Sequence, residues 1–234
     1  MKITIITLFP EMIHQVLSWG VVGKAIENGT IALQTVNPRD FANNKHNTVD
    51  DRPFGGGAGM VMMYDPLERA LQSLKTSAPV TFMSPQGKRL DQNLVNRMAT
   101  RKELVLLCGR YEGVDQRFLD KYVDEEISLG DFVISGGELA AAVLTDAVAR
   151  QIPGVLGDAE SALSDSFMQN RLGYPQYTRS EKLGHQGVPA VLLSGDHAAI
   201  RAWRASESER ITRAKRPDLL MADAALNGET SGQK

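Results

Sequence analysis

Residues 80–87 read Val-Thr-Phe-Met-Ser-Pro-Gln-Gly, residues 104–113 Leu-Val-Leu-Leu-Cys-Gly-Arg-Tyr-Glu-Gly, and residues 123–137 Val-Asp-Glu-Glu-Ile-Ser-Leu-Gly-Asp-Phe-Val-Ile-Ser-Gly-Gly. In each, a short apolar run (80–83, 104–107, 123–127) passes into a glycine-bearing loop, the pattern of a buried strand ending at a turn. Helical patterns follow at 91–99, 114–122 and 137–151. In the last, Ala140, Val143, Leu144 and Ala147 mark an i, i+3, i+4, i+7 stripe expected to pack on a sheet. Strands alternating with helices predict an α/β fold with a mainly parallel sheet. Ligands of such sheets bind outside the carboxyl ends of the strands, and glycine lets backbone N–H and C=O groups approach them closely. The three loops are therefore expected to build one pocket, lined mostly by backbone.

Working outward, residues 2–8 read as a buried strand ended by Pro10. Residues 11–26 read as a helix with Met12, Val16 and Leu17 on one side, interrupted at Gly20 and Gly23. Residues 31–36 alternate as a strand does. Residues 37–59 form a polar stretch long enough to suggest a functional loop, and 65–74 a helix with Pro66 in its first turn. Pro153-Gly154 closes this body. Residues 158–173 lack a period and read as a linker, 188–193 and an Arg-rich helix at 198–215 follow, and the tail beyond Asp218 is expected to fray.

The 234 residues, 42% apolar and 23% charged, are those of a globular chain with a sizeable core. The single cysteine, Cys108, excludes an intrachain disulfide, and no Cys/His spacing suggests zinc. The apolar run 3–9 is too short for a signal-peptide core, and no stretch approaches a membrane span; a cytoplasmic location is expected. Net charge is −2, yet residues 171–216 carry nine Lys/Arg against four Asp/Glu. A basic carboxyl-terminal third on an acidic body can attract a polyanion, or be a solvated helix face.

Gly55-Gly56-Gly57-Ala58-Gly59 is neither a dinucleotide fingerprint nor a P-loop. Beside Arg52 its amides can grip phosphate, or the loop can be surface only. The first strand ends Leu8-Phe9-Pro10 without the glycine turn of a dinucleotide-binding fold. His14, His46, His185 and His197 are scattered. From pattern alone, Arg150 can serve as an i, i+4 partner of Asp146, and Asp165 as a helix N-cap.

Several segments taken together carry a resemblance: Phe9-Pro10-Glu11-Met12, Asp50-Asp51-Arg52-Pro53-Phe54 running through the glycine cluster to Met60, Ser84-Pro85-Gln86-Gly87, Cys108-Gly109-Arg110-Tyr111-Glu112-Gly113-Val114-Asp115, residues 127–138, Arg150-Gln151-Ile152-Pro153-Gly154-Val155, and Tyr174-Pro175-Gln176-Tyr177-Thr178-Arg179. In this order and spacing, from residue 1 to about 216, the chain resembles the TrmD family of tRNA (guanine-N1)-methyltransferases, of the SPOUT group. The resemblance implies a deep trefoil knot made by the three glycine loops, S-adenosylmethionine held there, and a homodimer with its active sites at the subunit interface. It further implies a knotted catalytic domain over 1–157, an interdomain linker over 158–173 and a small helical tRNA-binding domain over 174–234.

Carried over residue by residue, the cofactor site is expected at Pro85 and Gly87, at Gly109, Tyr111 and Glu112, and at Leu129, Gly130, Asp131, Phe132, Val133, Ile134, Gly136 and Gly137, with Phe82 as a further apolar wall. tRNA contacts fall on Arg52, Gly55, Gly57, Gly59 and Arg179. The implied reaction is methyl transfer to N1 of guanine 37, next to the anticodon, with Asp165 of the other subunit as base and Arg150 facing guanine O6. Mg²⁺ is an implied requirement without a recognisable ligand set. The chain departs from the family at Gly173, commonly acidic, at Ser180, commonly proline, and at Gln176, often histidine. Two other readings are ribose 2′-O methylation by the same group of enzymes, and an RNA-binding module without catalysis.

Overall fold

A computed structural model of the chain describes residues 1–157, 164–180 and 183–221. The first part of the expected linker, residues 158–163, and the end of the expected tail, 222–234, lie outside the described residues. The chain divides into two compact units, Met1–Ala159 and Glu160–Lys234.

The first unit is built on five parallel strands: β1 (Lys2–Ile6), β2 (Ala32–Val36), β5 (Val80–Arg89), β6 (Glu103–Cys108) and β7 (Glu125–Ser128), in the order β2-β1-β6-β5-β7. Alternate residues serve opposite faces. Ile3, Ile5, Leu104 and Leu106 belong to one core with helices α1 (Pro10–Leu17), α2 (Gly20–Glu27), α4 (Gln92–Ala99) and α6 (Gly137–Ala149). Ile6, Val105 and Leu107 belong to the other, with α3 (Tyr64–Ser73) and α5 (Gln116–Tyr122). Both faces are covered, which is why β6 reads as an unbroken apolar run. Its residues 104–108 are all fully buried.

Several expectations change. The helix expected at 11–26 is two helices, separated at Ser18-Trp19, where Gly20 takes φ +64°. α1 buries Ile13 and Leu17, while Val16 faces outward. In α6 the expected stripe holds at Ala140 and Leu144, which are buried together with Ala141 and Val148, while Val143 is exposed. The polar stretch 37–59 contains a 3₁₀ turn, Pro38–Phe41, and leads into a two-residue hairpin of β3 (Asp50–Asp51) against β4 (Val61–Met62). The first glycine loop does not end its strand. Residues 84–87 leave the ladder and β5 resumes, so that Met83 and Lys88 both register with Ile127 and Arg89 with Ser128.

In the second unit, residues 167–174 lie along α7 (His197–Lys215), the Arg-rich helix, N-capped by Asp196. Leu172 N–H donates to Thr212 Oγ1 at 2.9 Å and Ser208 Oγ to the Leu172 carbonyl at 2.5 Å.

Candidate functional site

The irregular stretch within β5 and the segments after β6 and β7 meet at one cavity of about 270 Å³. Close approach explains its glycines. A Cβ on Gly109 would lie 2.9 Å from the Phe82 ring, and one on Gly137 would lie 2.7 Å from Cys108 Cα. Gly137 N–H donates to the Gly109 carbonyl at 2.9 Å, joining the second and third segments. Phe82, Met83, Ile127, Leu129 and Ala140 give the cavity apolar surface, against loop backbone on the other sides. An aromatic or apolar ring with polar edges is the shape such a lining accepts.

Pro85, Gly109, Tyr111, Glu112, Leu129, Gly130, Phe132, Val133, Ile134, Gly136 and Gly137 line this cavity. Gly87 and Asp131, also expected there, are not among its lining residues. Gly87 packs on the β7 backbone, where a Cβ would sit 2.3 Å from the Glu126 carbonyl carbon. Asp131 points into solvent and pairs with Arg89 at 2.7 Å. Tyr111 takes φ +61°, and its hydroxyl accepts from Arg39 at 3.2 Å. Burial, helped by the charge of Asp50, raises its phenol pKa, so the ring stays neutral.

A buried ion pair beneath the loops escaped the sequence reading. Glu138, fully buried in the first turn of α6, accepts from Thr7 Oγ1 and from Arg110 Nε, both at 2.8 Å. Arg110 also donates to the Ser135 carbonyl at 3.2 Å and lies over the Phe9 ring at 4.4 Å. One guanidinium thus clamps the end of β1, the second loop and the third. Gly136 leaves it room, since a Cβ there would meet Arg110 Nε at 2.3 Å. Arg110 and Glu138 both stand inside the glycine motifs. An acid in a first helical turn reads as a dipole partner, so only the tertiary contact reveals its role.

The hairpin β3–β4 carries Arg52, Gly55, Gly57 and Gly59 around its tip, the three glycines at φ +85°, +123° and +78°. Phe54 projects from it almost fully exposed. The hairpin is tied to the second loop: Met62 N–H donates to the Gly113 carbonyl and Glu112 N–H to the Met60 carbonyl, both at 2.9 Å. Gly59 faces the Glu112 side chain, whose Oε1 a Cβ would meet at 2.3 Å. Arg52 also lines a groove of about 840 Å³ with Arg117 and Lys121, where Asp51, Asp65 and Asp115 balance the charge. That groove is larger than the loop cavity, but no glycine lines it.

Arg150 ends α6, with its N–H donating to the Asp146 carbonyl. Asp165 belongs to the second unit, in a stretch of turns rather than at a helix N-terminus, and lines a cavity there of about 510 Å³. Arg179 is exposed in the same unit. Among the described residues no group of three or more His, Cys, Asp or Glu can hold a metal ion, and no helix is long and apolar enough to cross a membrane.

Comparison with known proteins agrees in one direction. Residues 1–222 match the family model described as tRNA (Guanine-1)-methyltransferase TrmD. The chain is 52% identical over 223 residues to the tRNA (guanine-N(1)-)-methyltransferase of Halorhodospira halophila, covering 94% of this chain and 84% of that one. It is 51% identical over 235 residues to that of Shewanella frigidimarina, covering 99% and 95%. It is 53% identical over 229 residues to that of Alcanivorax borkumensis, covering 95% and 86%.

Proposed function

The chain belongs to the TrmD family of tRNA (guanine-1)-methyltransferases and so acts on N1 of a guanine in tRNA; we propose that this guanine is position 37, that residues 1–157 hold the methyl donor in a trefoil knot, and that the second unit holds the tRNA. The observation that carries the reading is the meeting of three glycine segments at one apolar-floored, backbone-edged cavity.

The cavity fits S-adenosylmethionine. Phe82, Leu129 and Ile134 suit an adenine ring, and loop amides and carbonyls suit its polar edge. Arg110 is neutralised by Glu138, which leaves Glu112 as the anionic side chain of the lining to face a cationic centre. When bound, the cofactor supplies a methyl group activated by the sulfonium. The hairpin glycines and exposed Phe54 offer amides to phosphate and a ring face to a base.

Guanine N1 carries a proton that must leave as the methyl group arrives. A carboxylate within hydrogen-bond reach is the group for that step, and Asp165 fills it, contributed from the second unit of the partner subunit. Loss of the proton pushes negative charge onto O6, where the Arg150 guanidinium stabilises it. Asp165 ends the step protonated and returns its proton to water. Mg²⁺ dependence and a cytoplasmic location complete the proposal.

The test is tritiated methyl transfer to unmodified tRNA transcripts with and without guanine at position 37. Only the former accept label, and digestion yields 1-methylguanosine; a 2′-O-methylated nucleotide refutes the assignment. Asp165→Asn should lower the single-turnover rate about 10²–10⁴-fold with cofactor affinity kept, and a near-normal rate removes Asp165 as base. Arg150→Ala should lose about 10²–10³-fold in rate; loss of cofactor affinity instead would assign Arg150 a structural role.

A further inference from the structure

The cavity of about 510 Å³ in the second unit has an electrostatic character that the base role of Asp165 does not explain. Arg171, Arg201 and Arg204 line it, and Asp165 is the one acidic residue in its lining, a surplus of two positive charges. Arg201 and Arg204 fall at i and i+3 on α7, followed by Ala205 and Ser208 at i+4 and i+7, all on the cavity. That spacing on a packed helix is where an apolar stripe is expected. Here it presents guanidinium groups to a hollow.

The same helix pairs its other arginines. Arg210 bonds Glu207 at 2.7 Å and Arg213 bonds Glu209 at 2.8 Å. Among the described residues, Arg171, Arg201 and Arg204 take part in no ion pair. Arg204 instead lies over the Tyr174 ring at 4.9 Å, which orients it without neutralising it. The Nε of Arg171 is buried and has no hydrogen-bond partner. A buried guanidinium N–H left unsatisfied is costly, and Arg171 lines the cavity through which an acceptor would enter. The rim is also fixed in advance, because Leu172, next to Arg171, is bonded through both its N–H and its carbonyl to Thr212 and Ser208 of α7.

We propose that Arg171, Arg201 and Arg204 form a phosphodiester-binding site that grips the RNA backbone of the substrate beside the Asp165 carboxylate. Guanidinium forks suit phosphate oxygens in two-bond geometry. A site adjoining the base would fix the register of the target nucleotide, since backbone contacts position and carry no sequence information. These side chains are positioning residues and touch no reacting atom. The inference rests on the tRNA reading above.

The experiment measures tRNA binding to the full-length dimer by fluorescence anisotropy across a potassium chloride series, with cofactor affinity by calorimetry. Both α7 arginines are exposed, so Arg201→Gln/Arg204→Gln should keep the fold. Two lost contacts to single-stranded phosphate should flatten the log Kd against log salt slope by about 1.4, and weaken tRNA binding at low salt at least about tenfold. Cofactor affinity should not change. Arg201→Lys/Arg204→Lys, which keeps the charge, should restore most of the slope, and Arg213→Gln, on a paired arginine, should leave it intact. An unchanged slope in the glutamine variant, or an equal fall in Arg213→Gln, overturns the site. If the wild type methylates guanine N1 while the glutamine variant binds tRNA normally, this inference alone fails; a wild type that binds no tRNA overturns both readings.

Discussion

At the residue scale the chain depends on Glu138. Its carboxylate is fully buried and matched to Arg110, whose side chain keeps one-fifth of its surface in water. Removing one partner of a buried pair strands the other charge, at a cost of about 3–5 kcal/mol; the partial exposure of Arg110 places Glu138→Gln toward the lower end. Urea denaturation should show that loss, and cofactor affinity should fall with it, because Arg110 also holds the Ser135 carbonyl of the third loop. A variant of normal stability and affinity would exclude the clamp.

A second residue sets an acid limit. Glu68 accepts from Tyr122 and Tyr64 hydroxyls and from Lys121, which hold its pKa down to about 2. A lowered folded-state pKa stabilises the protein above the unfolded value, about 4.3, and that contribution fades as pH falls toward 2. The stability gap between wild type and Glu68→Gln should be level above pH 5 and shrink below about pH 4.3. A gap that widened there would reverse the assignment.

At the element scale, β6 was fully legible: the apolar run 104–107, extended by Cys108 and ending at Gly109, admits a strand covered on both faces. β5 was half legible. Ser84-Pro85-Gln86-Gly87 carries every local mark of a strand end, and Lys88-Arg89 looks like surface. Only the partner strand, pairing Lys88 with Ile127 and Arg89 with Ser128, makes them strand again. The β3–β4 hairpin has two residues a side, too few for any period to register. Arg110 and Glu138 were in plain sight within the motifs, but their pairing spans 28 residues and no spacing rule reports it. The return of β5 depends on Gly87 lying flat on β7. Gly87→Ala drives a Cβ into backbone that cannot move cheaply, so it should cost about 1–3 kcal/mol in thermal denaturation. An unaltered melting temperature would show that the return tolerates a side chain.

At the scale of the whole molecule, the first unit leaves apolar surface uncovered on helices that otherwise pack well. Val16 of α1, Trp19 just beyond it, and Leu139 and Val143 of α6 are exposed, Trp19 to 78%. Leu139 and Val143 are i, i+4 neighbours, so α6 shows solvent an apolar strip opposite its buried one. Such strips mark interfaces, and a second copy of the chain is the partner that the dimeric reading supplies, joined about a two-fold axis. Trp19→Glu/Val143→Glu should sediment at 25.6 kDa where the wild type sediments at twice that mass. The proposed sharing of the active site between subunits can be tested separately. Asp165→Asn keeps a sound cofactor cavity, whereas Gly137→Val should close one, since its Cβ alone meets Cys108 Cα at 2.7 Å. Each variant homodimer should be inactive. In a mixed dimer, the sound cavity of one subunit meets the Asp165 of the other, so one site in two works. Random reassociation of equal amounts makes half the dimers mixed, and about a quarter of wild-type activity should return. No recovery, with mixed dimers demonstrated by tag pull-down, would mean that Asp165 serves the cavity of its own subunit.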